Sequence, residues 1–237
     1  MAGPPVRIRA VLFDLGGTLV DERDYDGWVE LARRFSFDLD PDSLTHSFQE
    51  VEREIDAGPS LGDRETAIVE FWRRVLARAS GKDVAPSVAQ RFVQSVRSEE
   101  ILVRLFSDAR RCLDQLRADG RDLGVVSNSS SEAHVRRVLD RAGILEYFSH
   151  VVSSGTEGVS KPDPEIFRRA VQRMNVRPGD ALYVGNLAFT DAKGAAGAGL
   201  HSVWLNREGT GFGDDPPEIT SLLEVPLWVA RIERGES

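Results

Sequence analysis

Apolar residues recur along this chain with two different spacings, and the change from one spacing to the other divides the sequence. From Asp21 to about Ser107 the spacing is helical. The clearest example is a stripe made by Ala67, Ile68, Phe71, Trp72, Val75, Leu76 and Ala79. Pro41 and Pro86 each stand where a further helix begins. This part of the chain is therefore predicted to be a group of packed helices.

From Asp108 onward, short apolar runs alternate with stretches of helical spacing. The runs predicted as strands are Leu123–Ser127, Val151–Val152, Ala181–Gly185 and Ser202–Leu205. Helices are predicted between them, the last one starting at Asp191. This alternation predicts a doubly wound parallel sheet, an α/β fold of the Rossmann-like kind. We expect residues 1–20 and 108–237 to form this core and residues 21–107 to form an inserted helical domain.

Polar residues follow several of the predicted strands, at the point where each strand ends. Asp14 follows the first apolar run, Ser127 and Asn128 follow the second, and Asn186 follows Gly185, with Asp191 five residues later. In open parallel sheets, ligands bind beyond the carboxyl ends of the strands. The sequence therefore predicts an active site where these side chains converge.

Asp14 is the strongest candidate for chemistry. It ends the run Val11-Leu12-Phe13 and enters a turn made of Gly16 and Gly17 before Thr18. Burying an unpaired carboxylate is costly, and glycines let backbone amides approach a ligand closely. An aspartate at this point could also be a helix cap, but the glycines favour a loop that faces a ligand. We predict Asp14 as a nucleophile, with Gly17 and Thr18 binding an anion.

Ser127, Asn128 and Lys161 are candidate anion ligands. Ser127 and Asn128 stand between a strand and a helix, where they could cap the helix or hold an anion with its N-terminal amides. Lys161 lies in the segment Ser160–Pro164, whose two prolines stiffen the backbone. We predict that Lys161 neutralises Asp14 and a bound anion in a chain whose net charge is -8.

Taken in order, these segments resemble the four motifs of the haloacid dehalogenase-like hydrolases. The segments are 11–19, the strand ending at Ser127, Ser160-Lys161-Pro162-Asp163-Pro164, and Val184-Gly185-Asn186 through Gly199. The resemblance implies the α/β core with a helical cap inserted after the first motif. It also implies a phosphatase that forms an aspartyl-phosphate on Asp14 and acts on a small phosphorylated metabolite. In this family Mg²⁺ assists, and the resemblance places it on Asp14, the Gly16 carbonyl, Asn186 and Asp191.

Two positions depart from the family pattern. Gly16 stands where the family has a second aspartate that acts as general acid, and Asn186 stands where it has an acidic metal ligand. General acid–base catalysis typically contributes ~10²–10⁴-fold to the rate. The expected phosphatase is therefore weak or specialised, with weaker metal binding.

Two alternatives stay open. One is a non-catalytic member of the family that binds a ligand or a partner, because the loss of two carboxylates is what decay of catalysis would produce. The other is a metal-independent 2-haloacid dehalogenase, which needs no acid at position 16. No halide-binding arginine is identifiable among Arg23, Arg33 and Arg34.

Composition limits the choice of partners and compartment. The 237 residues carry a net charge of -8 and have a pI of about 5.1. Such a surface repels nucleic acid and anionic membranes. Cys112 is the single cysteine, so no internal disulfide forms, and we expect it to be a small core residue in a reducing compartment. With no apolar run of ~20 residues and no signal-like N-terminus, a cytoplasmic location is expected.

Overall fold

The chain folds into two compact units. The computed structural model describes residues 6–21, 25–57, 64–98, 103–209 and 216–236. The α/β unit comprises residues 1–21 and 103–237, and the helical unit comprises residues 22–102. We expected the insertion to extend to residue 107. The segment just after residue 102 instead groups with the α/β unit, because Arg104 and Leu105 pair antiparallel with Asp21 and Val20.

The regular elements alternate as predicted in the second half of the chain. In chain order they are β1 Ala10–Phe13, β2 Val20–Asp21, α1 Tyr25–Arg34, α2 Pro41–Ala57, α3 Arg64–Ser80, α4 Pro86–Ser98, β3 Arg104–Leu105, α5 Ala109–Ala118, β4 Asp122–Ser127, α6 Glu132–Arg141, β5 His150–Ser153, α7 Ser154–Glu157, α8 Pro164–Arg173, β6 Ala181–Gly185, α9 Gly194–Gly197, β7 His201–Leu205, β8 Glu218–Ile219 and α10 Val225–Glu233. None of the described helices is long and apolar enough to cross a membrane.

The main sheet has six strands in the order β5-β4-β1-β6-β7-β8, and all neighbours run parallel. The predicted doubly wound parallel sheet is confirmed. Phe13, the last residue of β1, is in register with Val125 of β4 and Val184 of β6. The carboxyl ends of these strands therefore lie at one edge, and the residues that follow them are brought together.

Alternate residues of β1 face opposite sides of the sheet and belong to two separate cores. Val11 and Phe13 belong to one apolar cluster, and Ala10 and Leu12 belong to the other. All four side chains are buried. A strand covered on both faces has no solvent side, which explains why its sequence is a continuous apolar run rather than an alternating one.

The helical unit has a core of its own, rich in aromatic side chains. The predicted stripe on α3 places Trp72, Val75 and Leu76 in this core. Trp72 meets Trp28 edge to face, with ring centroids 4.8 Å apart. Phe48 stacks on Trp28 at 5.3 Å. Helices α1, α2 and α3 thus share one aromatic cluster.

One predicted helix begins earlier and has a different geometry. The helix predicted from Asp191 begins instead at Ala188, as a π-helical turn that ends at Lys193, and continues as α9. The amide of Leu187 donates to Asp191 Oδ2 at 3.0 Å, and the amides of Asp191 and Ala192 both donate to the Leu187 carbonyl. The Asp191 side chain is turned back toward the sheet edge. Such π-turns occur frequently at functional sites.

Candidate active site

Asp14 occupies the predicted position directly beyond β1. Its amide donates to the carbonyl of Val184 at 2.9 Å, which extends the β1–β6 pairing by one residue. The side chain is almost fully buried, and Oδ2 accepts a hydrogen bond of 3.3 Å from Thr18 Oγ1. Burial raises the pKa of Asp14 to about 6, and the Asp191 carboxylate adds to this, although Lys161 opposes it. A carboxyl group with this pKa is mostly ionised at neutral pH.

The Lys161 ammonium lies between two carboxylates. Nζ is 2.6 Å from Asp14 Oδ1 and 2.6 Å from Asp191 Oδ1. Burial disfavours the charged ammonium, but the two carboxylates more than offset this and raise the pKa of Lys161. The predicted neutralisation of Asp14 by Lys161 has direct geometric support.

Asn128 holds the backbone of Lys161. Its Oδ1 accepts from the Lys161 amide at 2.9 Å, and its Nδ2 donates to the Lys161 carbonyl at 3.0 Å. The predicted role of Asn128 as an anion ligand stays a prediction, and these two hydrogen bonds show that it also fixes the Lys161 backbone. Ser127, the last residue of β4, is buried at the same sheet edge.

Tyr183 is a site residue that the sequence did not reveal. In the sequence it is one of several residues in an apolar strand, β6, and its neighbours in that strand are not polar. The fold turns its hydroxyl toward Lys161 Nζ at 3.0 Å and toward Asp191 Oδ1 at 3.1 Å. Both Tyr183 and Asp191 are fully buried.

Asn186 and Thr18 are in contact across the site. Thr18 Oγ1 is 3.4 Å from Asn186 Oδ1. Gly17, with φ of +80°, leaves the space in which the Asn186 amide lies, because a Cβ on Gly17 would come within 2.5 Å of Asn186 Nδ2. Gly17 is thus required by both its backbone conformation and its neighbour.

Two side chains from the end of β7 support these loops, and the sequence did not mark them either. Trp204 Nε1 donates to the Asn186 carbonyl at 2.9 Å. Arg207 donates to the Thr18 carbonyl at 2.8 Å and makes a two-point ion pair with Asp108 at 2.9 and 3.1 Å. The spacing of a tryptophan and an arginine on one strand end gives no sequence signal for such contacts.

The predicted Mg²⁺ ligands have different surroundings. The Asp14 carboxylate and the Asn186 side-chain amide both lie near Thr18 Oγ1, and both carry oxygens of the kinds that Mg²⁺ prefers. Asp191 instead directs Oδ1 to Lys161 and Tyr183 and Oδ2 to the Leu187 amide. Within the described ranges, no group of three or more His, Cys, Asp or Glu side chains could hold a metal ion. The oxygens of Asp14 and Asn186 fit Mg²⁺ by their chemistry, with Asp14 as the charged ligand, and the weak binding expected from the sequence stays a prediction.

The sequence also offered a cysteine and three arginines as candidates. Cys112 is buried in the α/β core, and burial raises the pKa of its thiol to about 12, so it is not a thiolate nucleophile. Among the arginines considered for halide binding, Arg33 is exposed and pairs with Glu30, Arg34 is exposed, and Arg23 lies outside the described residues.

Comparison with known proteins identifies the family. The family model for haloacid dehalogenase-like hydrolases matches residues 8–199. A glyceraldehyde 3-phosphate phosphatase of Methanopyrus kandleri is 31% identical over 212 residues, covering 84% of this chain and 84% of that protein.

Solved structures agree with that assignment. The magnesium-bound HAD-hydrolase YfnB of Bacillus subtilis has a TM-score of 0.71 at 22% identity, covering 94% of this chain and 99% of its own. A 2-haloacid dehalogenase of Pseudomonas syringae pv. Tomato has a TM-score of 0.60 at 26% identity, covering 94% and 99%. The chain belongs to the haloacid dehalogenase-like hydrolases.

Proposed function

We propose that this hydrolase is a Mg²⁺-assisted phosphatase that acts on a small phosphorylated metabolite through an aspartyl-phosphate on Asp14. The observation that carries the proposal is the buried Asp14 carboxylate, ion-paired to Lys161 at 2.6 Å at the carboxyl edge of the sheet. The similarity to a protein named as a glyceraldehyde 3-phosphate phosphatase supports the same substrate class.

The chemistry assigned to Asp14 follows from its contacts. Oδ1 is bound by Lys161, which leaves Oδ2 beside Thr18 to attack phosphorus. A bond forms between Oδ2 and phosphorus while the bond to the substrate oxygen breaks. Water then attacks the same phosphorus while the bond between phosphorus and Oδ2 breaks, which restores the carboxylate. The product is phosphate, which keeps one proton of the water and loses the other to solvent.

The proton for the departing oxygen must come from outside position 16, since Gly16 has no side chain. An alcohol that leaves poorly is then released slowly, whereas an aryloxide needs little help. We infer that the enzyme hydrolyses aryl phosphates more readily than alkyl phosphates.

The Asp14 carboxylate, the Gly16 carbonyl and the Asn186 amide oxygen would hold Mg²⁺, which would supply positive charge to the phosphoryl oxygens. Asn186 lacks the formal charge of an aspartate, so the affinity for Mg²⁺ is low. We assign to Asp191 the anchoring of Lys161 rather than direct coordination, because this accounts for the contacts of both its oxygens.

The test is p-nitrophenyl phosphate hydrolysis as a function of Mg²⁺ concentration by the wild type and by the variants Gly16→Asp, Asn186→Asp and their combination. The φ of Gly16 is not positive, so the backbone there does not have the left-handed conformation that would strain an aspartate. We expect slow wild-type turnover that Mg²⁺ stimulates. The double variant should gain at least tenfold and more than the product of the single gains, because both changes act on one phosphoryl group.

A well-folded double variant with no gain and no Mg²⁺ dependence would overturn the proposal. One observation favours the dehalogenase alternative. Gly16 and Asn186 place no charged side chain beside Asp14, and a dehalogenase needs no acid at position 16. Release of chloride from 2-chloropropionate without metal would select it. If neither reaction occurs, the remaining alternative is a non-catalytic member of the family that binds a ligand or a partner.

A further inference from the structure

The Lys161 ammonium has a protein acceptor for each of its hydrogens. A lysine ammonium carries three N–H donors. Its neighbours are Asp14 Oδ1 at 2.6 Å, Asp191 Oδ1 at 2.6 Å and Tyr183 Oη at 3.0 Å. The Lys161 side chain is 3% exposed. In this arrangement no donor is left over for a substrate oxygen.

The Tyr183 hydroxyl is fixed by its surroundings. Besides Lys161 it lies 3.1 Å from Asp191 Oδ1 and 3.2 Å from the Val126 carbonyl, so it accepts from the ammonium and donates to one of these oxygens. Its ring meets Phe167 edge to face at 4.9 Å. Burial and the nearby carboxylates raise the pKa of Tyr183 well above its usual value, which keeps the hydroxyl neutral.

We propose that Tyr183 is a positioning residue whose hydroxyl takes the third hydrogen of Lys161 and thereby confines the ammonium to Asp14 and Asp191. The ammonium is then held where its charge neutralises both carboxylates. This role rests on the proposed phosphatase function.

Tyr183→Phe tests the role because it removes one oxygen and keeps the ring that packs on Phe167. The matched control is Tyr147→Phe, which removes a solvent-exposed tyrosine–carboxylate hydrogen bond of 2.5 Å to Asp114 and leaves the half-buried ring in place on the same unit. With p-nitrophenyl phosphate, we expect Tyr183→Phe to lower kcat by about fivefold to twentyfold with KM within twofold. Calorimetry with inorganic phosphate should give an affinity that is unchanged or higher.

A second measurement does not depend on activity. The lysines of the chain are Lys82, Lys161 and Lys193, and both Lys82 and Lys193 are exposed. In ¹⁵N-labelled wild type at neutral pH, only the buried ammonium of Lys161 should exchange slowly enough with water to give a signal. In Tyr183→Phe its exchange should accelerate several-fold, and in Tyr147→Phe it should not.

Several outcomes would overturn the role. They are a kcat of Tyr183→Phe equal to that of Tyr147→Phe, a parallel loss of phosphate affinity, or a wild type without the slowly exchanging signal. The last needs no variant and stays decisive if Tyr183→Phe fails to fold. If the wild type hydrolyses no phosphate ester, the proposed function fails, yet the ammonium signal still tests the contact between Tyr183 and Lys161.

Discussion

Ion-paired carboxylates in the two units respond to their surroundings in opposite directions. Glu70, on a helix of the helical unit, is hydrogen-bonded by Arg73 and Arg74, and the bond from Arg73 above all lowers its pKa to about 2. Asp14 is paired just as closely with Lys161, yet its pKa is raised to about 6. The difference lies in burial. Glu70 keeps much of its hydration, whereas Asp14 loses it and shares its cation with Asp191.

Charged side chains have different roles in the two units. In the helical unit, ion pairs lie on the outside of an aromatic core that holds the helices together without them. In the α/β unit, charges are enclosed at the sheet edge, where each depends on the others. Charged groups enclosed in this way contribute little net stability but fix positions for chemistry.

The largest expected effect comes from removing the carboxylate at the sheet edge. Asp14→Asn keeps the shape and an oxygen for Lys161 but removes the nucleophile, so phosphatase turnover should fall by at least about a thousandfold. Glu70→Gln, the corresponding change in the helical unit, should leave kcat within twofold. Steady-state hydrolysis of p-nitrophenyl phosphate measures both, with thermal unfolding as the check on folding. Turnover retained by Asp14→Asn would rule out the covalent mechanism.

A smaller effect is expected on stability when the cation is removed from each kind of pair. Lys161→Met leaves two buried carboxylates without their partner and should lower the free energy of unfolding by about 3–5 kcal/mol. Arg78→Met breaks pairs with Glu50 and Glu54, whose side chains are 39% and 48% exposed. That loss should stay below about 1 kcal/mol. Urea denaturation of the two variants compares them, and equal losses would contradict the distinction.

Features that depend on short stretches of sequence could be predicted. Helices and strands followed from local spacing, because a buried face repeats every few residues whether it is the Trp72 stripe or the β1 run. Asp14 and Lys161 followed from local context and from the resemblance to a family. These signals are contained within short segments.

Contacts between distant segments could not be predicted in this way. Tyr183 looks like any strand residue until β6 is placed beside β1 and its hydroxyl meets Lys161. Asn128 carries the right residue type for binding an anion but is engaged by the backbone of a loop 33 residues away. Arg207 reaches the Thr18 carbonyl across 189 residues. Such roles depend on geometry that no single segment contains.

The raised pKa of Asp14 predicts a pH dependence of kcat/KM that is small near neutral pH and grows as the pH decreases. Below about pH 6 the carboxylate becomes protonated and stops being a nucleophile, so kcat/KM should fall about tenfold per pH unit as the pH decreases. Lys161 lowers the pKa of Asp14, so in Lys161→Met the acidic fall of kcat/KM should occur at higher pH, measured on the activity that remains. Glu70→Gln should not move it, because that carboxylate ionises far below this range. If kcat/KM instead falls only near pH 4, the pKa of an ordinary aspartate, Asp14 is better hydrated in solution than its burial between β1 and Lys161 implies.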